Sequence, residues 1–246
     1  MPRHYVLLDA SVAAAHYAPK STTSANLKDR ATKLLTGSAS GIEVQFLIPN
    51  FCIAEVFAVF EKYRWGRTWN KHVKTGNTLT KKEFTTARKQ FADAIHNAKK
   101  ILQIDLNRYH ILCIDLVSPI NNAYRIKRDR SSKKNVYPAS TYDMQIVSMG
   151  IWLQHMLGHA DFTIVTGDER LAAVVRRAKS VKLGKGIKIH LTGVASKLSL
   201  AYSPNLYPTV LNLTQASKAD MEEEFQSLLS GMLPSARRSA TLKLCR

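Results

Sequence analysis

Four acidic side chains stand where soluble proteins seldom put them. Asp9 closes the apolar run Tyr5, Val6, Leu7, Leu8, and Glu55 interrupts Phe51, Cys52, Ile53, Ala54, Val56, Phe57. Asp143 precedes the apolar stretch Met144 to Met156, and Asp168 follows Phe162, Thr163, Ile164, Val165, Thr166. A carboxylate taken out of water costs several kcal/mol unless a cation or a proton compensates it. If the four converge, pairs about 4 Å apart repel by ~4 kcal/mol at an effective dielectric of 20. A divalent ion resolves the conflict, and an all-oxygen ligand set favours Mg²⁺ or Mn²⁺ over zinc. His16, His72, His96, His110, His155, His159 and His190 are scattered and read as surface or packed side chains.

Each acid alone has an ordinary explanation. Asp9 can cap a turn after a strand, Asp143 can form a capping box with Ser140, and Asp168 can cap the next helix. Glu55 can join a buried salt bridge; residues 51 to 60 are otherwise apolar, so its helical neighbours Phe51, Cys52, Ala58 and Val59 leave it no comfortable exposed face. What the separate explanations leave out is the coincidence of position, since the acids fall at strand ends and in the first turns of helices.

The elements that must hold them read as alternating strands and helices. Strands are expected at 5–9, 44–48, 109–116, 162–166 and 187–191, with an edge strand at 210–213. Helices are expected at 11–17, 24–36, 51–65 with Asn50 as cap, 80–101 opened by a Thr80/Glu83 capping box, from Pro119, 142–157, 169–178 and 221–232. Alternation of this kind predicts an α/β fold, a three-layer α/β/α sandwich with a mostly parallel central sheet. Ligands of such sheets bind outside the carboxyl ends of the strands, where Asp9 and Asp168 fall. The expected organisation is one domain over 1–200, a basic, partly helical insertion at about 66–135, and a C-terminal extension at 201–246 with a basic tail.

Charge points to a polyanionic partner. The chain carries 36 Lys and Arg against 18 Asp and Glu, a formal +18. Residues 64–134 alone hold 17 basic and 5 acidic side chains. Arg64, Arg67, Lys71 and Lys74 follow the Glu55 helix, and Arg125, Lys127, Arg128, Arg130, Lys133 and Lys134 precede Asp143, so both clusters are expected to position RNA, with DNA as the lesser expectation. Tyr63, Trp65 and Trp69 interleave with the first cluster, either as stacking partners for unpaired bases or as packing. Three scattered cysteines, Cys52, Cys113 and Cys245, argue against a disulfide framework and for a reducing cytoplasm. Asp9 cuts the first apolar run short of the ~7 to 15 residues of a secretory leader, and no run reaches the ~18 apolar residues of a membrane span.

These same residues carry a resemblance. Tyr5 to Val12 with Asp9 resembles the opening of PIN-domain nucleases, and Pro49 to Phe60 with Glu55 resembles their second acidic position. Asp143 followed by Met144, Gln145, Ile146 and Val147 is similar to the third, and Thr166, Gly167, Asp168, Glu169, Arg170, Leu171 to the fourth. The resemblance covers residues 5–60 and 138–192. It implies an α/β/α sandwich, a carboxylate-bound Mg²⁺ or Mn²⁺ centre and endonuclease action on RNA, often by the toxin of a toxin-antitoxin pair, and family members often dimerise. On this reading Asp9, Glu55, Asp143 and Asp168 hold the metal, which activates water for in-line attack and leaves a 5′-phosphate and a 3′-hydroxyl. Ser11 and Thr166 are expected to orient a ligand or water from behind. An antitoxin or other acidic protein and a homodimer are the expected protein partners. The competing expectation is a nucleic-acid-binding module of the same fold without turnover.

Overall fold

Strands that are apolar on both faces need helices above and below, and that demand sets the architecture. The computed structural model describes residues 3–18, 25–37, 43–66, 78–96, 101–115, 117–121, 139–157, 162–179, 185–198, 203 and 205–215. In chain order the elements are β1 (Arg3–Leu8), α1 (Ala10–Tyr17), α2 (Ala25–Thr36), β2 (Glu43–Pro49), α3 (Asn50–Trp65) and α4 (Lys81–His96). There follow β3 (Ile101–Ile104), α5 (Arg108–Leu112), a helical turn at 117–121, α6 (Thr141–Leu157), β4 (Phe162–Thr166), α7 (Glu169–Ala178), α8 (Lys185–Lys197) and β5 (Thr209–Asn212).

The five strands form one all-parallel sheet of order β3-β2-β1-β4-β5 in an α/β/α sandwich. Right-handed crossovers put α1 to α4 on one face, because β1, β2 and β3 step one way, and α5 to α8 on the other, because β4 and β5 step back. Packing agrees: Tyr17 of α1 and Phe57 and Phe60 of α3 meet Phe91 of α4, while Tyr109 and His110 of α5 meet Trp152 of α6. Contacts of Phe60 with Phe91, Glu61 with Arg88 and Tyr63 with Leu79 make α3 and α4 an antiparallel hairpin. The Thr80/Glu83 box opens α4: the Thr80 N–H donates to Glu83 at 2.8 Å and the Glu83 N–H donates to the Thr80 hydroxyl at 3.2 Å. Gly66 ends α3 at φ +55, where a β-carbon would also meet Thr78 Cγ2 at 2.5 Å. No helix among the described residues is long and apolar enough to cross a membrane.

Several expected elements differ. Of the expected strand 109–116, the described residues 109–115 are not a strand: the Asn107 side chain accepts from the Tyr109 and His110 N–H groups at 3.0 and 3.2 Å, and His110 Nδ1 accepts from the Asn107 N–H. That capping box starts α5. The third strand of the chain is instead β3, and α4 stops at His96 rather than 101. Ile101 and Ile104 are buried because they pair with Phe46 and Pro49 at the sheet edge. Residues 187–191 are helical within α8, whose buried Leu191, Val194 and Ala195 follow helical spacing while Ile189 is exposed. Asn50 is the first residue of α3 rather than its cap, which is Pro49. Residues 66–135, expected as an insertion, supply α4, β3 and α5 to the sandwich body. β5, from the expected extension, closes its other edge. The expected helix 221–232 and the basic tail lie outside the described residues.

α6 is buried almost throughout from Ile146 to Leu157 and presses against the sheet. At Gly150 a β-carbon would fall 2.5 Å from Ile164 Cδ1 and 3.1 Å from Cγ1, inside a strand with no exposed surface. Gly150→Val is therefore expected to lower stability by about 1–3 kcal/mol, with no gain from removing glycine from a helix, as read from urea unfolding.

Candidate active site

The sheet order reverses between β1 and β4, so their carboxyl ends flank the crevice where parallel α/β sheets bind ligands. Asp9 is the first residue beyond β1 and Asp168 the second beyond β4. The two loops are stitched together. The Asp9 N–H donates to the Val165 carbonyl at 3.0 Å, and the Asp9 carboxylate Oδ2 accepts from Ser11 Oγ at 2.5 Å and from Thr166 Oγ1 at 2.7 Å. Each hydroxyl is itself fixed from behind, Ser11 by the Gly167 N–H at 2.9 Å and Thr166 by the Asp168 N–H at 2.9 Å. A side chain on Gly167 would crowd Leu27 and the Ser11 hydroxyl, at 3.0 and 3.1 Å.

This cradle commits one oxygen of Asp9 and leaves Oδ1 with no hydrogen bond from the described residues. Asp9 is only 6% exposed, and burial pushes its carboxyl above the usual range. The two hydroxyls lower it in part, and the charges of Asp143 and Asp168 raise it again. Although it occupies the cap position of α1, its side chain caps nothing. A buried carboxylate that could cap its helix but does not is held in another direction.

Asp143 and Asp168 both do cap. The Ser140 N–H donates to Asp143 Oδ2 at 2.7 Å and the Asp143 N–H to Ser140 Oγ at 3.1 Å, while Asp168 Oδ1 accepts from the N–H groups of Arg170 and Leu171 at 2.6 and 3.4 Å. Capping does not exclude proximity to Asp9. Burial raises the Asp143 carboxyl; Ser140 and Arg170 offset this and Asp168 adds to it. For Asp168 burial is outweighed by Arg170, whose guanidinium lies 3.0 Å from Oδ2, and the carboxyl is held below the usual range.

Glu55 departs from the sequence expectation. It is exposed, with exposed Ala54 and Ala58 beside it, because α3 buries a narrower stripe of Cys52, Val56 and Phe60. Its carboxyl is nevertheless raised, first by the protein around it and then by Asp9 and Asp143. Its surface reaches water while its headgroup sits in a field of like charge. Beneath it, Cys52 is fully buried, its thiol pushed well above the ordinary value by burial and by Asp9, Glu55 and Asp143.

At the carboxyl end of the sheet Asp9 thus lies in the field of Asp143 and Asp168, Glu55 in that of Asp9 and Asp143, and Asp143 in that of Asp168. Their all-oxygen donor chemistry suits a hard divalent ion. Closed coordination is another matter: among the described residues no three Asp, Glu, His or Cys side chains are gathered at metal-holding distance. His110 and His155 are fully buried, and burial pushes both down to about 4, which keeps them neutral core residues.

Of the expected RNA-binding residues, Arg67, Lys71, Lys74, Arg125, Lys127, Arg128, Arg130, Lys133 and Lys134 lie outside the described residues, as does Trp69. Arg64 is not brought to the carboxylates. It stands nine residues past Glu55 on α3, which is ~13 Å along the axis and half a turn round to the opposite side. There it donates to the Leu79 carbonyl and lies 5.1 Å over the Trp65 ring. Two groups at the site are not among the residues expected from sequence. Arg170 is one, and its signal is a cation two residues after an N-capping acid. The other is the ring pair Phe51 and Tyr142, stacked at 5.8 Å and 22° between the first turns of α3 and α6. Neither element's sequence announces the other as its neighbour. No protein-family model matches this chain, and no curated protein matches it in sequence.

Proposed function

We propose that this chain is a PIN-domain-like, metal-dependent endoribonuclease that works in the cytoplasm. One observation carries the reading: Asp9 and Asp168 flank the switch point of a parallel sheet, and burial, with the charges of neighbouring acids added to it, raises the carboxyls of Asp9, Glu55 and Asp143. A cluster that resists its own ionisation is built for a cation. A Mg²⁺ or Mn²⁺ ion, when bound, supplies a water of lowered pKa and stabilises charge developing on a phosphodiester.

The chain's own residues do the rest. Ser11 and Thr166 hold Asp9 Oδ2 and so fix the orientation of this carboxylate in advance. Glu55 on α3, Asp143 on α6 and Asp168 in its capping position would supply the other ligands. Arg170 pairs with Asp168 at 3.0 Å and neutralises its charge. RNA is favoured as substrate by the +18 charge, and an antitoxin or other acidic protein is a fitting regulator for so basic a chain.

The experiment is cleavage of end-labelled single-stranded RNA in Mn²⁺ or Mg²⁺ against the same reaction in chelator. Cleavage is expected only with the ion, and is expected to be lost in Asp143→Asn, which can still accept the Ser140 N–H. Equal cleavage by that variant would remove the carboxylates from the chemistry. The Arg170–Asp168 ion pair favours a second reading, a nucleic-acid-binding module without turnover. That reading requires RNA binding that survives chelator with no cleavage under any divalent ion.

A further inference from the structure

We propose that the stacked Phe51–Tyr142 pair is a platform for one unpaired nucleobase of a single-stranded nucleic acid, seated beside the carboxylates. The proposal deepens the nuclease reading by naming what lies next to the bond to be cut. Phe51 lies in the first turn of α3, four residues and one helical turn before Glu55 on the same face. Tyr142 is the second residue of α6 and the immediate neighbour of Asp143. The pair therefore bridges the two helices whose acids, Glu55 and Asp143, sense each other.

Packing does not account for the position of Tyr142. Phe60, Phe91 and Trp152, the large aromatic rings of the two helical layers, are fully buried, whereas Tyr142 is 56% exposed. Phe51 stacks, offset, against the Tyr142 ring at 5.8 Å and restrains it, so its exposed surface is presented to solvent at little further cost in side-chain freedom. Exposed Ala54 and Ala58 keep the neighbouring surface of α3 low. Trp65, an exposed aromatic of α3, is a poorer candidate. Its indole N–H donates to Glu61 at 2.9 Å, Arg64 covers its ring, and it lies ten residues past Glu55, or ~15 Å along the axis.

An exposed, backed aromatic ring beside an acidic crevice suits a base better than a peptide. Every base offers a π-face, and a chain of net charge +18 draws the phosphates of a strand. A duplex, whose bases are already stacked, gains nothing from the platform. The site is thus selective for single strands without reading their sequence.

The test uses the full chain in chelator, so that nothing is cut, with short single-stranded RNAs carrying 2-aminopurine. The expected result is fluorescence quenching on binding, and a Kd that rises about 5- to 100-fold in Tyr142→Ala with loss of quenching, while Tyr142→Phe and Tyr142→Trp keep both. Duplex RNA of the same sequence is expected to bind wild type and variants alike. Unchanged single-strand binding by Tyr142→Ala overturns the platform, as does an equal loss for duplex. Dissociation of a dimer by Tyr142→Ala, with RNA binding intact, gives this face to a second copy and also overturns it. The two readings separate cleanly. Normal metal-dependent cleavage with an unaffected Tyr142→Ala sinks the platform alone, and quenching without cleavage in any divalent ion sinks the nuclease alone.

Discussion

Asparagine in place of Asp9 is expected to cut RNA cleavage by roughly a hundred- to a thousandfold or more, while leaving the protein more stable than the wild type. The two effects have one cause. Asp9 is 6% exposed, lies in the field of Asp143 and Asp168, and among the described residues has two neutral hydroxyls to compensate its charge. The amide keeps an oxygen for the Ser11 and Thr166 hydroxyls and discards the charge, so the fold loses no hydrogen bond and sheds a repulsion. A gain of about 1 kcal/mol is reasonable for relieving a strained site, and corresponds to a melting temperature about 2–4 °C higher in a chain of this size. Activity on labelled RNA and thermal unfolding by circular dichroism, run on one preparation, check both halves. A variant that is inactive because it is unstable would show Asp9 to be structural and nothing more.

The second large effect is a coupling between pH and metal. Asp9, Glu55 and Asp143 hold their protons more tightly in the folded chain than an exposed carboxyl does. For such groups the cost to folding is absent below the unfolded value of about 4, grows as pH rises through the folded values, and is complete above them. Asp168 runs the other way, its stabilisation being present above the unfolded value and lost as pH falls through the depressed folded one. Acidification also raises a net charge that is already +18, which works against the compact state. The diagnostic quantity is therefore the difference between wild type and Asp9→Asn. In chelator that difference is expected to favour the variant at pH 8 and to shrink toward pH 5. Saturating Mn²⁺ at pH 8 is expected to reverse it. A ligand at a hundred times its Kd adds about 2.7 kcal/mol, or roughly 5–10 °C, to the wild type, and far less to the variant. A wild type whose melting temperature is unmoved by Mn²⁺ or Mg²⁺ has no metal site here.

Much of the fold is legible in residues taken in order, and the failures share a cause. The strands carrying Asp9 and Asp168 are continuous apolar runs with sharp ends, and burial on both faces is what such runs mean. The capping boxes at Thr80 and Ser140 are local hydrogen-bonding patterns and so survive in sequence. β3 is hidden because Ile95, Ala98 and Ile101 continue a helical spacing across a helix end. Residues 109–116 and 187–191 mislead in the opposite sense, since β-branched and apolar density outweighs a cap at Asn107 in one case and masks the buried Leu191, Val194 and Ala195 in the other. Glu55 lies in the expected helix but on a different kind of surface. Which side of α3 meets the body is decided by α1 and α4, and one strand of letters does not contain that information. The same holds for Phe51 and Tyr142, which are 91 positions apart and meet only because their helices begin at the same edge of the sheet.

The bond from Thr166 to Asp9 spans 157 positions, and it dates the site in the life of the chain. β1 occupies the middle of the sheet, yet one of its two neighbours, β4, is synthesised only after residue 161. A growing chain that has passed residue 160 already holds Asp9, Glu55 and Asp143, but not the strand that gives Asp9 its backbone acceptor and its second hydroxyl. Long-range parallel pairing of this kind is slow to form, because a large loop must close before any contact rewards it. The carboxylate cluster is consequently among the last features to come into register. Partly made or partly folded copies of this protein carry its positive charge without its assembled carboxylate cluster.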